Sequence, residues 1–397
     1  MPIRRPVPRR PLLGTVCLVT VCLTLTPLSP ATAGAATHPR PDTDPALQRQ
    51  LDALVRSPGG PPGIIAVLKD GRKTQVVKAG VADLATGRKP SPHDHMRIAS
   101  AAKAFSGAVA LSLVGLGDLS LDDTLGERLP DLPDAWGAVT LRQLLNHTSG
   151  LPDYSDSPEF LETLFANPRH RFDSRKLLDY VAGRSLDFPA GTRYQYSNSD
   201  NIAVALMAEA ATGERYERLL RELVYRPLGL HNTSLPQGYR MPRPYLHGYD
   251  VSPPEPPEDV SELIGMSGVW ASGGIVSTPA DVTRFIRGYA GGKLYGQDVV
   301  QQQRGWIDGA SEPAGPGKNK AGLGIFRYTT RCGVVLGHTG NTPGYTQLMA
   351  ATPDGRKSLT FSTTTQINQT LKPELLRKLR AVQENFVCAL LKGKGRS

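Results

Sequence analysis

An apolar, alanine-rich run with a lysine inside it is the feature that most constrains how this chain can fold. The run extends from Arg97 to about Leu116 and is dominated by Ala, Leu and Val, a composition that predicts a buried helix. Positions i and i+3 lie on the same face of a helix, so the Ser100 hydroxyl and the Lys103 amine can meet. Burial disfavours the charged form of an amine, which lowers its pKa and lets it act as a base.

This serine and lysine have both a chemical and a structural interpretation. A serine beside such a base is an activated nucleophile, and the free N–H groups of a helix N-terminus favour a developing anion. Alternatively, Ser100 is only an N-cap and Lys103 only a solvated helix lysine. Because chance gives Ser-x-x-Lys roughly once or twice in a chain of this length, the rest of the sequence must decide between the two.

Residues 1–36 have the pattern of a secretory signal peptide. A basic start precedes an apolar run from Leu12 to about Leu28, and small residues spaced for signal-peptidase cleavage follow at Ala31–Ala36. A membrane anchor is the alternative, but the run is short for a spanning helix and is interrupted by Pro27. We therefore expect a secreted protein, extracellular or associated with the cell wall, without stable membrane insertion after cleavage.

The charge distribution gives no sign of a nucleic-acid partner. The formal net charge is +10, and four of these charges are arginines among the first ten residues. The remaining excess forms no basic stripe with interleaved aromatic residues, so nucleic-acid binding is not expected. Residues 392–397 are interpreted as a solvated basic tail. The paired Arg4 and Arg5 leave both the general and the twin-arginine export routes open.

Two of the four cysteines, Cys17 and Cys22, lie in the predicted signal peptide, so Cys332 and Cys388 remain in the mature chain. An even number of cysteines in an exported protein favours a disulfide. Two free buried thiols are the alternative.

The order of the predicted elements indicates an α+β domain over residues 45–391, after a flexible leader at 37–44. Strands are predicted at Gly63–Leu68 and Thr74–Val77 around an Asp-Gly turn, with a third near Ala79–Ala82. Further strand patterns occupy 322–364, and a closing helix follows. The intervening residues, about 100–260, are mostly helical. This layout predicts an antiparallel sheet flanked by helices, with an inserted all-helical subdomain and a cleft between the two.

Two further motifs carry groups that could act beside Ser100. In Tyr196-Ser197-Asn198 the phenol can transfer a proton and the amide can hold a carbonyl and an amine together. In His338-Thr339-Gly340 a polar pair beside a glycine would let a substrate backbone lie along a strand edge. Each motif alone also suits an ordinary core residue, N-cap or strand end.

A third segment, Leu144–Tyr154, combines a helix end with a sharp turn at Gly150. Its His147 is interpreted as structural, because no carboxylate stands near it in the sequence to orient the ring.

Taken in order, Ser-x-x-Lys, Tyr-x-Asn and His-Thr-Gly resemble the triplet of the serine penicillin-recognising enzymes. The run Leu-Leu-Asn-His-Thr-Ser-Gly-Leu and the histidine of the third motif are similar to the branch that contains class C β-lactamases and secreted serine D-alanyl-D-alanine carboxypeptidases. The similarity extends from about Gly63 to Cys388. It implies a β-lactamase/transpeptidase-like fold and, as in the carboxypeptidases, a disulfide between Cys332 and Cys388.

The resemblance also implies a role for each motif residue. Ser100 would be acylated, Lys103 would take its proton, and Tyr196 would pass protons to the leaving amine and help to activate water. Asn198 would bind the acyl side chain. The backbone N–H groups of Ser100 and Asn341 would form the oxyanion hole. His338, Thr339 and Gly340 would shape the substrate site. No metal or cofactor is implied.

The sequence departs from the carboxypeptidase pattern at the residue that should bind the substrate's terminal carboxylate. The expected arginine falls at Phe326, and Arg327 comes one position later. Because strand side chains alternate between faces, Arg327 can take this role only if the strand is bulged or the register shifts. After the third motif, Asn341 replaces a threonine and Pro343 a glutamine.

The sequence thus predicts a secreted acyl-serine hydrolase. D-Ala-D-Ala carboxypeptidase activity on peptidoglycan stem peptides is the leading interpretation. The alternatives on the same scaffold are a β-lactamase, an esterase and a D-amino-acid peptidase, and the least favoured is a penicillin-binding-like protein without turnover. β-Lactams are expected as covalent ligands.

Overall fold

The computed structural model describes residues 44–392. The predicted signal peptide at 1–36, the predicted leader apart from Asp44, and residues 393–397 of the predicted basic tail lie outside the described residues.

An eight-stranded sheet forms the centre of the described chain. Its strand order is β2-β1-β12-β11-β10-β9-β8-β7, and every neighbouring pair is antiparallel. Two short pairs, β3 with β6 and β4 with β5, lie outside it. The strands are β1 Gly63–Asp70, β2 Lys73–Gly80, β3 Met96–Arg97, β4 Tyr249–Asp250, β5 Glu258–Asp259, β6 Val276–Ser277, β7 Ile307–Asp308, β8 Lys318–Ala321, β9 Phe326–Thr330, β10 Gly333–Thr342, β11 Tyr345–Ala351 and β12 Lys357–Thr363.

Helices cover both faces of this sheet. The α-helices are α1 Pro45–Val55, α2 Lys103–Leu116, α3 Leu125–Arg128, α4 Leu141–Leu145, α5 Pro158–Ala166, α6 Asn198–Thr212, α7 Tyr216–Leu219, α8 Arg226–Leu228, α9 Trp270–Gly273, α10 Pro279–Ala290, α11 Gln297–Gln303 and α12 Pro373–Lys392. Short 3₁₀ segments occur at Ala99–Ala102, Asp134–Trp136, Tyr154–Asp156, Ser174–Val181 and Met266–Gly268, and a π-helical turn at Leu220–Tyr225.

Alternation along the strands separates two hydrophobic cores. In β10, Val335 packs with α1 and α12, whereas the next residue, Leu336, packs with the helical region that contains α2, α6 and α10. A strand presents successive side chains to opposite faces, so one sheet can support both layers. The predicted antiparallel sheet flanked by helices is confirmed.

The details of several elements differ from the sequence predictions. The Asp70-Gly71 turn joins β1 to β2, with Gly71 in the left-handed region at φ 55°. The expected third strand at Ala79–Ala82 is wrong, because Ala79 belongs to β2 and the chain leaves the sheet after Gly80. Helices continue beyond residue 260 through α9, α10 and α11, so the proposed subdomain boundary stays a prediction.

The C-terminal helix is joined to the sheet by a cysteine pair. Cys332 lies in the turn between β9 and β10, Cys388 lies on α12, and their sulfurs are bonded with the Cα atoms 5.2 Å apart. This is the pairing that the sequence predicted.

One stretch of the described chain, Ala99–Leu116, is long and apolar enough to cross a membrane, but 78% of it is buried inside the fold. Burial of this kind is expected for a core helix.

Candidate active site

Ser100 lies in a tight turn that packs against β10 and α9. The sequence predicted one continuous helix from this residue, but the chain forms a 3₁₀ turn at Ala99–Ala102 before α2 begins at Lys103. Residues i and i+3 eclipse one another in 3₁₀ geometry, so the turn brings Ser100 and Lys103 together. Ala99 has φ 49°, a left-handed conformation that costs an alanine about 1–2 kcal/mol. Backbone strain is therefore stored directly before the serine.

Gly340 on β10 makes the close approach that holds this turn. A Cβ atom added there would lie 2.1 Å from the Ile98 carbonyl oxygen and 3.2 Å from the Ala101 nitrogen. Both are backbone atoms, so no side chain could move aside. The sequence analysis interpreted the glycine as room for a substrate backbone; the structure shows that it lets β10 pack against the serine turn.

The Lys103 amine is buried and has three hydrogen-bond partners. Nζ lies 2.7 Å from Asn198 Oδ1, 2.9 Å from the Ser272 carbonyl oxygen and 3.3 Å from Ser100 Oγ. In the neutral amine, two hydrogens suffice for the two carbonyl oxygens, and the lone pair can accept from the Ser100 hydroxyl. Burial lowers the pKa of Lys103 to about 8, although Asp153, Glu312 and Asp200 oppose the shift through their charges. The geometry therefore suits a base that takes the serine proton.

Asn198 is held from both sides of its amide. Its oxygen accepts from Lys103, while Nδ2 donates to Asp153 Oδ2 at 3.1 Å and to Ser155 Oγ at 3.0 Å. The Asn198 backbone N–H also donates to Asp153, at 2.7 Å. Since both amide hydrogens are engaged, Asn198 positions the lysine in this state, and its predicted contact with the acyl side chain stays a prediction.

The Tyr196 phenol is a buried proton carrier beside the lysine. Its ring centroid lies 4.9 Å from Lys103 Nζ, and its hydroxyl makes no hydrogen bond to another group among residues 44–392. Burial raises the pKa of Tyr196 well above its usual value, and the neighbouring Ser100 hydroxyl offsets only part of this increase. The phenol is therefore neutral at physiological pH and available as a donor.

His147 has the carboxylate partner that the sequence analysis did not find. His147 Nδ1 lies 2.7 Å from Asp200 Oδ2, and Ser149 Oγ donates to the other carboxylate oxygen at 2.5 Å. Both partners are buried, and burial lowers the pKa of His147 to about 3 and raises that of Asp200 well above its usual value. The expectation that no carboxylate orients this ring was wrong. The His147 ring also packs on Tyr196, with centroids 4.6 Å apart.

The polar side chains of the third motif, His338 and Thr339, make hydrogen bonds within the protein, which the sequence did not predict. His338 Nδ1 lies 2.6 Å from the Thr339 carbonyl oxygen, and the Thr339 hydroxyl donates to the Pro313 carbonyl oxygen at 2.6 Å. Burial lowers the pKa of His338 to about 3, so the imidazole is neutral. These contacts fix the strand that faces the serine.

Asn341 follows the motif and borders the cavities around Ser100. Its Nδ2 donates to Thr346 Oγ1 and the Ile367 carbonyl oxygen, both at 2.9 Å, while its Oδ1 accepts from Gln366 and Asn368. The side chain thus anchors β10 and leaves the backbone as its contribution to the site. The oxyanion hole from the Ser100 and Asn341 N–H groups stays a prediction.

Two cavities open on Ser100, and Asn198 and Asn341 border both. The smaller, of about 250 Å³, is mainly apolar and is lined by Phe160, Leu161, Leu164, Met266 and Val269 among others. The larger, of about 1020 Å³, has a mixed polar and apolar lining that includes Tyr194, Tyr196, Glu312, Asn319 and Arg380. Tyr196 borders only the larger one.

Arg327 is the predicted site residue that the structure does not bring to Ser100. It pairs with Leu336 of β10 and Lys320 of β8, and it is not among the residues that line either cavity. The adjacent Phe326 is buried on the face of α1 and α12, and its ring lies 5.0 Å from that of His338.

Sequence reasoning missed five contributors to the site. Asp153 lies inside the third segment that it singled out, Ser155 follows that segment directly, and Asp200 lies two residues after Asn198, so proximity to a motif was an available signal. No sequence signal marked the Ser272 carbonyl or Glu312. Among residues 44–392, no three His, Cys, Asp or Glu side chains converge as a metal site.

Comparison with known proteins defines the class. A family model described as Beta-lactamase matches residues 47–383, and the chain belongs to this family. It is 27% identical to a D-stereospecific amidohydrolase from Streptomyces sp., whose structure superposes with a TM-score of 0.72 and covers 88% of this chain and 99% of that one. This family places the chain among the serine penicillin-recognising enzymes.

Curated relatives carry two kinds of name. Penicillin-binding protein 4* of Bacillus subtilis is 26% identical over 304 residues, or 71% of this chain and 63% of that protein. A D-aminopeptidase of Cereibacter sphaeroides is 31% identical over 207 residues, or 52% of this chain and 39% of that protein. The alignments thus span less than two thirds of either relative.

Proposed function

We propose that this protein hydrolyses amide bonds that follow a D-amino-acid residue, in D-aminopeptidase or D-amino acid amidase reactions, through an acyl-enzyme on Ser100. The observation that carries the chemistry is the Lys103 amine, whose contacts with two carbonyl oxygens leave its lone pair for the Ser100 hydroxyl. Similarity to a D-stereospecific amidohydrolase and to D-aminopeptidases supports the substrate class.

Acylation follows from the positions of three side chains. The Ser100 proton moves to Lys103 as Oγ bonds to the substrate carbonyl carbon. Collapse of the tetrahedral intermediate breaks the carbon–nitrogen bond, and Tyr196 gives its proton to the departing amine. Lys103 can then return a proton to the phenol. Water attacks the acyl-enzyme by the reverse sequence, which releases the acid and restores the serine.

The leading sequence interpretation, D-Ala-D-Ala carboxypeptidase activity on peptidoglycan stem peptides, is the second candidate. It requires a cation for the terminal carboxylate. Arg380 supplies one in the larger cavity, whereas Arg327 does not line it. Similarity to a penicillin-binding protein also supports this candidate and the expectation that β-lactams acylate Ser100. The signal-like N-terminus supports export to the cell surface or medium.

Steady-state kinetics on two amides and a peptide test the proposal. We expect the mature protein to cleave D-phenylalanine amide much faster than its L-enantiomer and faster than acyl-D-Ala-D-Ala, with no activity in Ser100→Ala.

Intact mass after exposure to a fluorescent penicillin reports whether Ser100 is acylated and how long the adduct lasts. A preference for acyl-D-Ala-D-Ala that Arg327→Ala or Arg380→Ala removes would replace the amidase proposal with the carboxypeptidase one. Rapid penicillin turnover alone would indicate a β-lactamase, and cleavage of esters alone an esterase.

A further inference from the structure

The loop between β7 and β8 presents a carboxylate to the larger cavity. Glu312 lines this cavity together with Ser100 and Tyr196, and its carboxylate makes no hydrogen bond or ion pair with any other residue of the described part of the chain. The residue is exposed to solvent, and it lines the cavity. A carboxylate without a hydrogen-bonded or ion-paired partner can interact with a molecule that enters the cavity.

The loop itself is held firmly, so the backbone that carries this carboxylate has a defined position. Thr339 donates to the Pro313 carbonyl oxygen at 2.6 Å, and Tyr194 donates to that of Ala310, also at 2.6 Å. Arg380 donates to the Gly315 carbonyl oxygen at 2.8 Å through Nη2. These clamps lie on both sides of Glu312 and leave its side chain free. A binding group on a rigid support retains its interaction energy because it pays little ordering entropy.

The cavity that contains Glu312 is also the one that receives the leaving group. Tyr196 borders only this cavity, and under the proposed function the phenol delivers its proton to the departing amine. The amine and everything attached to it must therefore lie on this side of Ser100. The smaller, apolar cavity remains for the acyl side chain.

We propose that Glu312 sets the leaving-group specificity of the hydrolase: its carboxylate attracts leaving groups that carry a positive charge and disfavours those that end in a carboxylate. This inference rests on the proposed direction of cleavage and deepens the proposed function. The cation in the same cavity, Arg380, is anchored by the Gly315 and Gly317 carbonyl oxygens. Burial raises the pKa of Glu312 while the Lys103 charge lowers it, so the assays are run at pH 8, well above the ordinary range of a carboxyl group.

A charge series of D-phenylalanine amides tests the assignment. The leaving groups are 1,2-diaminoethane, propylamine and glycine, which are similar in size and carry positive, zero and negative charge. In Glu312→Gln we expect kcat/KM to fall about tenfold for the first, to stay within about twofold for the second and to rise about tenfold for the third, as expected for unit charges roughly 7 Å apart in a wet site. The matched control is Asp308→Asn, which removes the same charge from the exposed strand β7 and should change none of the three.

The result that overturns the inference is an equal effect of Glu312→Gln on all three amides, or a wild-type preference for glycine, which would indicate that Arg380 dominates.

If no amide is cleaved, the proposed function fails, and a second measurement decides the role of Glu312. The probes are two cephalosporins that share one acylamino side chain and carry either a pyridiniummethyl or an acetoxymethyl group at position 3. They therefore differ by one positive charge on the leaving side. By intact mass, Glu312→Gln should lower the ratio of their acylation rates about tenfold. An unchanged ratio excludes Glu312 as a charge selector.

Discussion

His147 and Asp200, 53 residues apart in the chain, share a hydrogen bond of 2.7 Å in the interior directly behind Tyr196. His147 has φ 60°, so the chain turns in the left-handed region to direct the ring at the carboxylate. Two buried polar groups that pair with one another avoid most of the cost of burial. The pair therefore stabilises the fold and supports one face of the tyrosine ring.

His147→Ala should lower the free energy of unfolding by about 2–4 kcal/mol, because Asp200 loses its partner and an alanine is strained at positive φ. His147→Asn should cost about 1 kcal/mol less, since asparagine tolerates the left-handed region. Urea unfolding followed by circular dichroism measures both. His93→Ala, in an exposed loop, is the control and should change stability by less than about 0.5 kcal/mol. Equal stability of His147→Ala and the wild type would contradict this account of the pair.

Gly340→Ala should disrupt the site through the backbone rather than through any lost side chain. The new Cβ would meet the Ile98 carbonyl oxygen at 2.1 Å, so β10 and the serine turn must move apart. Displacements of about 1 Å at a reacting centre can reduce rates roughly 100-fold, and we expect a decrease of this size in the acylation rate by a fluorescent penicillin. Gly183→Ala, where an added Cβ meets no atom within 4 Å, should acylate normally. A normal rate in Gly340→Ala would show that the contact can relax.

The sequence predicted the site best where reactive residue types occur in a characteristic order along the chain. Ser100 with Lys103 and the Tyr196 motif could be placed in one site because their order is specific to a family, and the sheet followed from strand patterns that alternate. The partner of His147 could not be found in this way, since periodicity within α6 does not reveal which distant loop packs against Asp200. Glu312 lies in an irregular segment whose position depends on hydrogen bonds from Tyr194, β10 and α12, which no local pattern encodes.

The bond between Cys332 and Cys388 should contribute substantially to stability. The two residues are separated by 56 positions, and the chain-entropy estimate for a loop of this size is about 4 kcal/mol. We expect Cys332→Ser with Cys388→Ser to unfold at lower urea concentration than the wild type with an unchanged acylation rate, because the bond lies away from Ser100. Mass spectrometry after alkylation of the oxidised, denatured wild type should show no labelled thiol at either position. Labelling at both would mean that the bond does not form.

Lys103 should impose a distinctive pH dependence on acylation. Its pKa of about 8 lies below the ordinary value of 10.5 because burial disfavours the ammonium form, and only the neutral amine can take the Ser100 proton. The acylation rate by a penicillin without a titrating amine should therefore rise about tenfold per pH unit below pH 7.5 and level off above about pH 8.5. Stopped-flow measurement between pH 5.5 and 9.5 gives the profile.

Two variants separate this base from other titrating groups. Lys103→Arg keeps the positive charge but cannot lose a proton in this range, so acylation should be abolished although the fold persists by circular dichroism. Glu312→Gln removes a negative charge that raises the pKa of Lys103, so the midpoint of the profile should move to lower pH. A rate that is flat from pH 6 to 9 in the wild type, or a midpoint that moves upward in Glu312→Gln, would be inconsistent with Lys103 as the proton acceptor.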